Sequence, residues 1–372
     1  MKIVSVMTTT SRGGGEFAAV DLLDVLAARG HEAVLLTNQP ELAEGTRLAV
    51  DKIDLGPKLA RRTWPRLALR WPQLRRRLAA ALQHHAPYDL LLLHFKKEQL
   101  LAAHLPAHLR ATVAWAEWGP LPRPLRHGPP RAVYRHAARS VGVILAVSEN
   151  TRNSLVALEI DPKRITVIPS VIDVTKVTFD SGARERYRRE WGLADGTFVV
   201  GCVSRLHAEK RNDVLVDAIA ELPGDVVAVF AGDGDDEAAL RARAAPLGER
   251  VRFLPTPRGY VGEILSACDV QVFAPARREG APRSIGFGQL TSRPVIATAA
   301  FDGVGELIVP GVGTVVSPPN DPRALAAVLA AYRDDPERRA REGAAGRRAA
   351  TTRHNPATVA GAVEQALERA RS

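Results

Sequence analysis

Twelve short apolar runs, spaced by segments of helix length, constrain this chain more than any other feature. KIVSVM, AVLLT, DLLLLHF, ATVAWA, VGVILAVS and RITVIP form one series; FVVGCV, VVAVFAG, RVRFLP, VQVFAP, RPVIATA and GTVVSP form a second. Runs this continuous leave no polar face on the strand, so both faces must be covered. That is the mark of parallel sheets with helical crossovers. Two such series in 372 residues predict two doubly wound α/β domains, since a single core rarely grows to that size. The boundary falls in the polar stretch after Pro169. It gives a first domain over 1–172 and a second over 173–353, with a C-terminal helix over about 354–372 packing back on the first.

No apolar run approaches the roughly 20 residues that a membrane-spanning helix needs. The start, MKIVSVMTTT, is too short and too β-branched for a secretory signal, which predicts a cytoplasmic protein. Cys202 and Cys268 sit inside apolar segments and are too few for a disulfide framework or a zinc site. The net charge of +10 comes mainly from arginine and favours anionic partners such as nucleotides, phosphates or acidic membranes. One segment concentrates it. RRTWPRLALRWPQLRRR, residues 61–77, holds seven arginines, two tryptophans and no acid. Leu67, Trp71, Leu74 and Leu78 share a helical face there, with a restart of the helix expected at Pro72. Two uses fit: a helix that covers its sheet and extends its arginines into water, or a basic surface for membrane lipid or an anionic acceptor.

Three stretches carry candidate chemistry. After the first strand, Gly13, Gly15 and Ala18 satisfy G-x-G-x-x-A, where glycines admit a phosphate and the helix start offers free N–H groups. A nicotinamide site also wants an acid at the end of the second strand, but Thr37 and Asn38 stand there. After the strand FVVGCV, Arg205 and Lys210 lie at the carboxyl end of a parallel strand, where open α/β sheets bind ligands. An arginine fork with a lysine point charge suits a diphosphate. After VQVFAP, Glu279 and Gly280 fall on a loop and Pro282 suits a helix start. Glu279 can hold a polar sugar while the helix amides take its phosphate. GDGDDE, residues 232–237, lacks the remaining ligands of a calcium loop, and its acids suit a helix start. His84, His85 and His94 show no metal-ligand spacing, and His94, at a strand end, is a candidate acceptor contact. No G-x-S-x-G occurs, so a serine hydrolase is unsupported.

In sequence, GGGEFAAVDLLDVLAARGHEAVLLT, VILAVSENTR, ITVIPSVID, GCVSRLHAEKRNDVLVDAIAEL, VFAGDGDDEAAL and REGAPRSIGF…RPVIATAAFDGVGELI resemble glycosyltransferase family 4 over nearly the whole chain. The resemblance implies the GT-B fold, two Rossmann-like domains facing across a cleft, and retaining, metal-independent transfer from a nucleotide-activated sugar. By that likeness Arg205 and Lys210 clamp the donor diphosphate, with Gly14 and Gly15 closing over it and Pro282, Arg283 and Ser284 at the helix start beside it. Glu279 matches the first acid of the family's paired-Glu motif, and Gly280, Ala281, Phe287 and Arg258 fall at the donor sugar and nucleoside. The partners implied are a nucleotide sugar and a small-molecule acceptor. No cofactor, metal or nucleic acid is implied, and weak membrane association through 61–77 stays open.

Two departures stand out. Where the family has its second Glu the chain has Phe287, which accepts no hydrogen bond. Where the family has a His after a first-domain strand, VAWAEWGPLP puts Trp118, or Glu117 if the alignment slips by one. Two consequences remain: an active enzyme adapted to an unusual donor sugar, as in natural-product assembly, or a non-catalytic relative that keeps the fold. A polysaccharide or glycolipid transferase is the further alternative. Because the leaving phosphate can itself act as base, loss of the His does not by itself remove the chemistry.

Overall fold

The computed structural model describes every residue except Ser11, Arg61, Arg110, Ala111, Arg258, Arg277, Arg278, Phe301, Asp302 and Ser372. Arg258, expected at the donor, therefore lies outside the described residues. The chain divides into two compact units, one of Met1–Val171 with Pro356–Ser372, the other of Ile172–Asn355.

The first unit opens with β1 (Lys2–Met7), α1 (Gly14–Ala28), β2 (Glu32–Thr37), β3 (Ala49–Lys52) and α2 (Trp64–His85). It continues through β4 (Leu90–Leu93), α3 (Lys96–Ala102), β5 (Thr112–Glu117), α4 (Gly128–Ala138), β6 (Val143–Ala146), α5 (Glu149–Val156) and β7 (Ile165–Val167). Among the described residues its strands form one parallel sheet in the order β3-β2-β1-β4-β5-β6-β7. Val4 and Val6 of β1 join the leucines of α2 on one face, while Ile3 and Met7 join α1 on the other. Both faces are covered, as the continuous apolar runs require.

The second unit begins with α6 (Ser181–Glu190), β8 (Phe198–Val203), α7 (Asn212–Ala220), β9 (Val226–Ala231), α8 (Glu237–Ala244) and β10 (Val251–Leu254). Then come α9 (Val261–Ala267), β11 (Val270–Phe273), α10 (Arg283–Leu290), β12 (Val295–Thr298), α11 (Val304–Leu307) and β13 (Gly313–Val316). Helices α12 (Pro322–Asp334) and α13 (Pro336–His354) complete it. Its parallel sheet runs β10-β9-β8-β11-β12-β13. In both sheets the strand order reverses beside the first strand, and such a switch point is where α/β sheets bind ligands.

The last helix, α14 (Pro356–Arg371), buries Val359, Ala360, Val363, Ala366 and Leu367 in the same core as α1 and β1. Arg29 forks onto Glu364 with bonds of 2.7 and 2.8 Å and holds that carboxyl down at about 2.

Each of the twelve apolar runs contains an observed strand. The thirteenth, β3, is an edge strand with mostly exposed residues, so it carries no apolar run to read. The expected break at Pro72 does not occur, and α2 runs through it. Proline removes the bond to the Ala68 carbonyl one turn back. Ala68 and Pro72 are both exposed, so solvent can satisfy that carbonyl and the helix continues. Among the described residues no helix is long and apolar enough to cross a membrane.

Candidate functional site

In the second unit the loops after β8 and β11 meet at the switch point. β8 ends at Val203, and the loop carries Arg205 and Lys210 into α7. β11 ends at Phe273, and the loop carries Glu279 towards α10. The Ala276 amide donates to the Glu209 carbonyl at 2.8 Å and ties the two loops. Lys210 Nζ lies 2.6 Å from Glu279 Oε1 and 5.2 Å from the Phe273 ring centre. The exposed Arg205 guanidinium has no ion-pair partner among the described residues. The loop thus carries two cations, one without an ion-pair partner among the described residues and one whose counter-charge is a carboxylate, which an incoming diphosphate could replace.

The Arg205 loop is rigid because its backbone is held on two sides. Asn212, 7 % exposed, accepts from Ser204 Oγ at 3.0 Å and donates to the Arg205 carbonyl at 3.3 Å. On the other side lies GDGDDE. The Leu206 amide donates to Asp233 O at 2.9 Å, and the Asp236 amide to Leu206 O at 3.0 Å. A Cβ on Gly234 would stand 2.1 Å from the Leu206 carbonyl oxygen, and one on Gly232 2.0 Å from that of Ser204. These glycines exist so that one turn can lie flat against the other. Sequence reasoning took this stretch as an ordinary helix start and missed its support of the Arg205 loop.

Pro282 is the N-cap of α10, followed by Arg283 and Ser284 in its first turn. The Ser284 carbonyl accepts from Gln271 Nε2 at 2.8 Å, which pins this turn to β11. Gly280 is buried and Ala281 partly so. Phe287 packs its ring against the cluster of Ile172, Val177, Val261, Leu265 and Leu290, with the Arg283 guanidinium 5.4 Å over it.

In the first unit the strand ends of β1, β4 and β5 gather a second group. Strand alternation separates Glu117 from Trp118. Val113 and Trp115 point into the core under α2, whereas Ala114 and Ala116 point to the α1 side, where Trp118 packs. Glu117 follows Trp115. It is 3 % exposed and accepts from Lys96 Nζ, from Gln99 Nε2 at 2.9 Å and from Tyr134 Oη at 2.7 Å. Burial, then the Glu117 charge, push the Tyr134 hydroxyl well above its usual range, so it remains a donor. Three donors thus meet its two oxygens inside the unit. Trp118 takes the other side.

The indole is fixed by two neighbours. A Cβ on Gly15 would lie 3.3 Å from Trp118 Cβ, a tight contact that brings the glycine turn against the tryptophan, whereas a Cβ on Gly14 would meet nothing within 4 Å. Trp118 Nε1, which can only donate, lies 3.3 Å from His94 Nδ1. His94 must then carry its proton on Nε2, which donates to Ser5 Oγ at 2.7 Å. His94 is 2 % exposed, and burial lowers its pKa to about 3. Both ring nitrogens are occupied within the unit, and the imidazole stacks on Trp118 with ring centres 5.9 Å apart.

That burial has a measurable consequence. The unfolded chain takes up a proton on this imidazole near 6.5, the folded chain near 3, so between those values unfolding binds the extra proton. Stability is expected to fall as pH drops from 6.5, by up to about 1.4 kcal/mol per pH unit from this group. Urea unfolding across that range should show a shallower slope for His94→Gln than for the wild type. Equal slopes would contradict the neutral, buried assignment.

Around the glycine turn, Glu16 accepts from the Gly13 amide at 3.1 Å, Thr9 Oγ1 at 3.0 Å and Lys58 Nζ at 2.6 Å. Asn38 faces inward and bonds the Thr9 amide and carbonyl at 2.8 and 2.9 Å. It braces the turn where a dinucleotide site would present an acid. Among the described residues no cluster of three His, Cys, Asp or Glu could hold a metal ion.

Two family models match the chain. The model of "Glycosyltransferase Family 4" matches residues 12–176, and that of "Glycosyl transferases group 1" matches residues 183–349. A GDP-mannose-dependent monoacylated alpha-(1-6)-phosphatidylinositol monomannoside mannosyltransferase of Corynebacterium glutamicum is 33% identical over 48% of this chain and 50% of its own. A D-inositol 3-phosphate glycosyltransferase of Xylanimonas cellulosilytica is 31% identical over 58% of this chain and 54% of its own. The chain thus spans about half the length of the curated relatives it matches. Among solved structures, Anabaena HepE in complex with UDP and glucose superposes with a TM-score of 0.82 at 22% identity, over 99% of both chains. Sucrose-phosphate synthase of Thermosynechococcus elongatus gives 0.81 at 19%, over 99% of this chain and 98% of its own. One model accounts for the first sheet and the other for the second, and the fold is that of GT-B enzymes. The chain belongs to the family-4 glycosyltransferases.

Proposed function

We propose that the protein transfers a sugar, with retention of configuration and without a metal ion, from a nucleoside-diphosphate sugar to a hydroxyl acceptor. The observation that carries this reading is the Lys210–Glu279 pair at 2.6 Å, on the same loop as Arg205, which has no ion-pair partner among the described residues, at the switch point of the second sheet. Arg205 and Lys210 take the diphosphate, and Glu279, released from Lys210, accepts from hydroxyls of the sugar. The bond from the anomeric carbon to the phosphate oxygen breaks, and the acceptor oxygen bonds that carbon on the same face. The acceptor's proton passes to the departing phosphate. The two cations stabilise the charge that develops there, the term that weighs most in such reactions. Trp118 supplies an apolar contact to substrate in place of a polar one.

The acceptor reading moves away from natural-product assembly. By their names, the curated relatives act on an inositol phosphate and on a phosphatidylinositol mannoside, which favours a polyol or glycolipid acceptor. The names also divide between GDP-mannose and UDP donors, so both bases belong in the test. Incubation with UDP- and GDP-hexoses in excess EDTA is expected to release free nucleoside diphosphate, slowly by hydrolysis and faster with acceptor. Loss of turnover in EDTA with rescue by magnesium or manganese would overturn the metal-independent scheme. No release from any donor, with or without metal, would leave a sugar-nucleotide-binding protein without catalysis.

A further inference from the structure

Helix α2 uses its two faces for different purposes. Leu67, Leu74, Leu78 and Leu82 are buried in the core and Trp71 packs against it, so this side covers the sheet. The outer side is different. Arg62, Arg66, Arg70, Arg75 and Arg76 are all exposed, and none has an ion-pair or hydrogen-bond partner among the described residues. Arg77 donates to the Asp54 carbonyl at 2.8 Å and meets no carboxylate. No acid occurs between Asp54 and Asp89. Arg62, Arg66 and Arg70 follow one another at four-residue spacing, where like charges oppose helix formation. Among the described residues no carboxylate compensates them.

One apolar side chain stands among these charges. Leu69 is 87% exposed, opposite the buried leucines and flanked by Arg66, Gln73 and Arg76 on the helix surface, whereas the half-exposed Trp64 at the helix start packs edge-on against Trp71, 6.0 Å between ring centres, on the side of the buried leucines. An anionic polymer that presents its phosphates would engage the arginines but leave Leu69 in water. A layer of negative headgroups over hydrocarbon would engage both.

We propose that the outer face of α2 docks the protein on an anionic membrane surface, with Leu69 inserted among headgroups that the arginines contact. The assignment is independent of the transferase reading, because it is measured by binding alone. Co-sedimentation of the full chain with vesicles is the test. The wild type is expected to bind phosphatidylcholine vesicles that contain phosphatidylglycerol, not phosphatidylcholine alone, and salt should weaken the binding. The triple variant Arg66→Glu, Arg70→Glu, Arg76→Glu should bind about a hundredfold more weakly, and the matching triple lysine variant should retain binding. Leu69→Ser should weaken binding about threefold or more, with an unchanged melting temperature because the side chain is exposed. Equal binding to neutral and anionic vesicles, or no binding to either, would overturn the proposal. So would a duplex DNA that binds as tightly as the anionic vesicles and is indifferent to Leu69→Ser, since the partner would then be nucleic acid.

Discussion

Arg205→Ala and Lys210→Ala should each weaken nucleoside-diphosphate binding by about 1.5–3 kcal/mol, the range of a hydrogen bond to a charged group. That corresponds to a loss of roughly ten- to a hundredfold in kcat/KM for the donor. The reasons differ between the two. Arg205 has no counter-charge among the described residues, so its loss removes an attraction and leaves none of them stranded. Lys210 is bound to Glu279, so its removal also leaves that carboxylate without its cation beside an anionic ligand. Lys210→Ala is therefore the more damaging. Glu279→Gln should behave in the opposite way for binding: with its competitor neutralised, Lys210 holds the diphosphate at least as tightly, while turnover falls because the sugar loses its acceptor. Steady-state kinetics with the best donor from the panel would check all three variants. Unchanged kcat/KM in both alanine variants would remove the clamp from the account.

Gly234→Ala should be nearly as harmful, although Gly234 carries no side chain to contact a ligand. The added methyl would stand 2.1 Å from the Leu206 carbonyl oxygen and 2.5 Å from its carbon. Both atoms are backbone, and the hydrogen bonds from Leu206 to Asp233 and from Asp236 to Leu206 prevent the turns from separating freely. Overpacking of this kind costs about 1–3 kcal/mol. Relief must come from movement of residues 204–206, which moves Arg205. The expected result is a lower melting temperature together with weaker diphosphate binding. Gly224→Ala is the control, since a Cβ there meets nothing within 4 Å and should change neither quantity. Full binding in a destabilised Gly234→Ala variant would show that the Arg205 loop does not depend on this turn.

The parts of the fold that are buried on both faces were legible, because burial writes continuous apolar runs into the sequence. β3 was not, since an edge strand with one neighbour and exposed side chains needs no such run. That the loops carrying Arg205, Lys210 and Glu279 meet was legible, because they leave neighbouring strand ends of one parallel sheet. Choosing between Glu117 and Trp118 required only the two-residue alternation of β5, which puts Glu117 on the side of Trp115. His94 was harder. A histidine at a strand end reads as a ligand contact, and nothing in the sequence reveals that Ser5 and Trp118 occupy both its nitrogens. The role of Gly232 and Gly234 was equally hidden, because their partner is the backbone of a segment some thirty positions away. At Pro72 the rule on helix breaking was right about the lost bond but did not account for a solvent-facing carbonyl.

The central claim is that residues after β8 hold a nucleoside diphosphate, and thermal unfolding with added nucleotides tests it most directly. A ligand at a hundred times its dissociation constant stabilises the folded state by about 2.7 kcal/mol. For a unit of this size that is a rise of about 5–10 °C in melting temperature. The wild type is predicted to show such a rise with UDP or GDP and little with uridine or guanosine, and the double variant Arg205→Ala, Lys210→Ala is predicted to show none. A wild type indifferent to every nucleoside diphosphate, or a double variant that responds as fully as the wild type, would contradict the account.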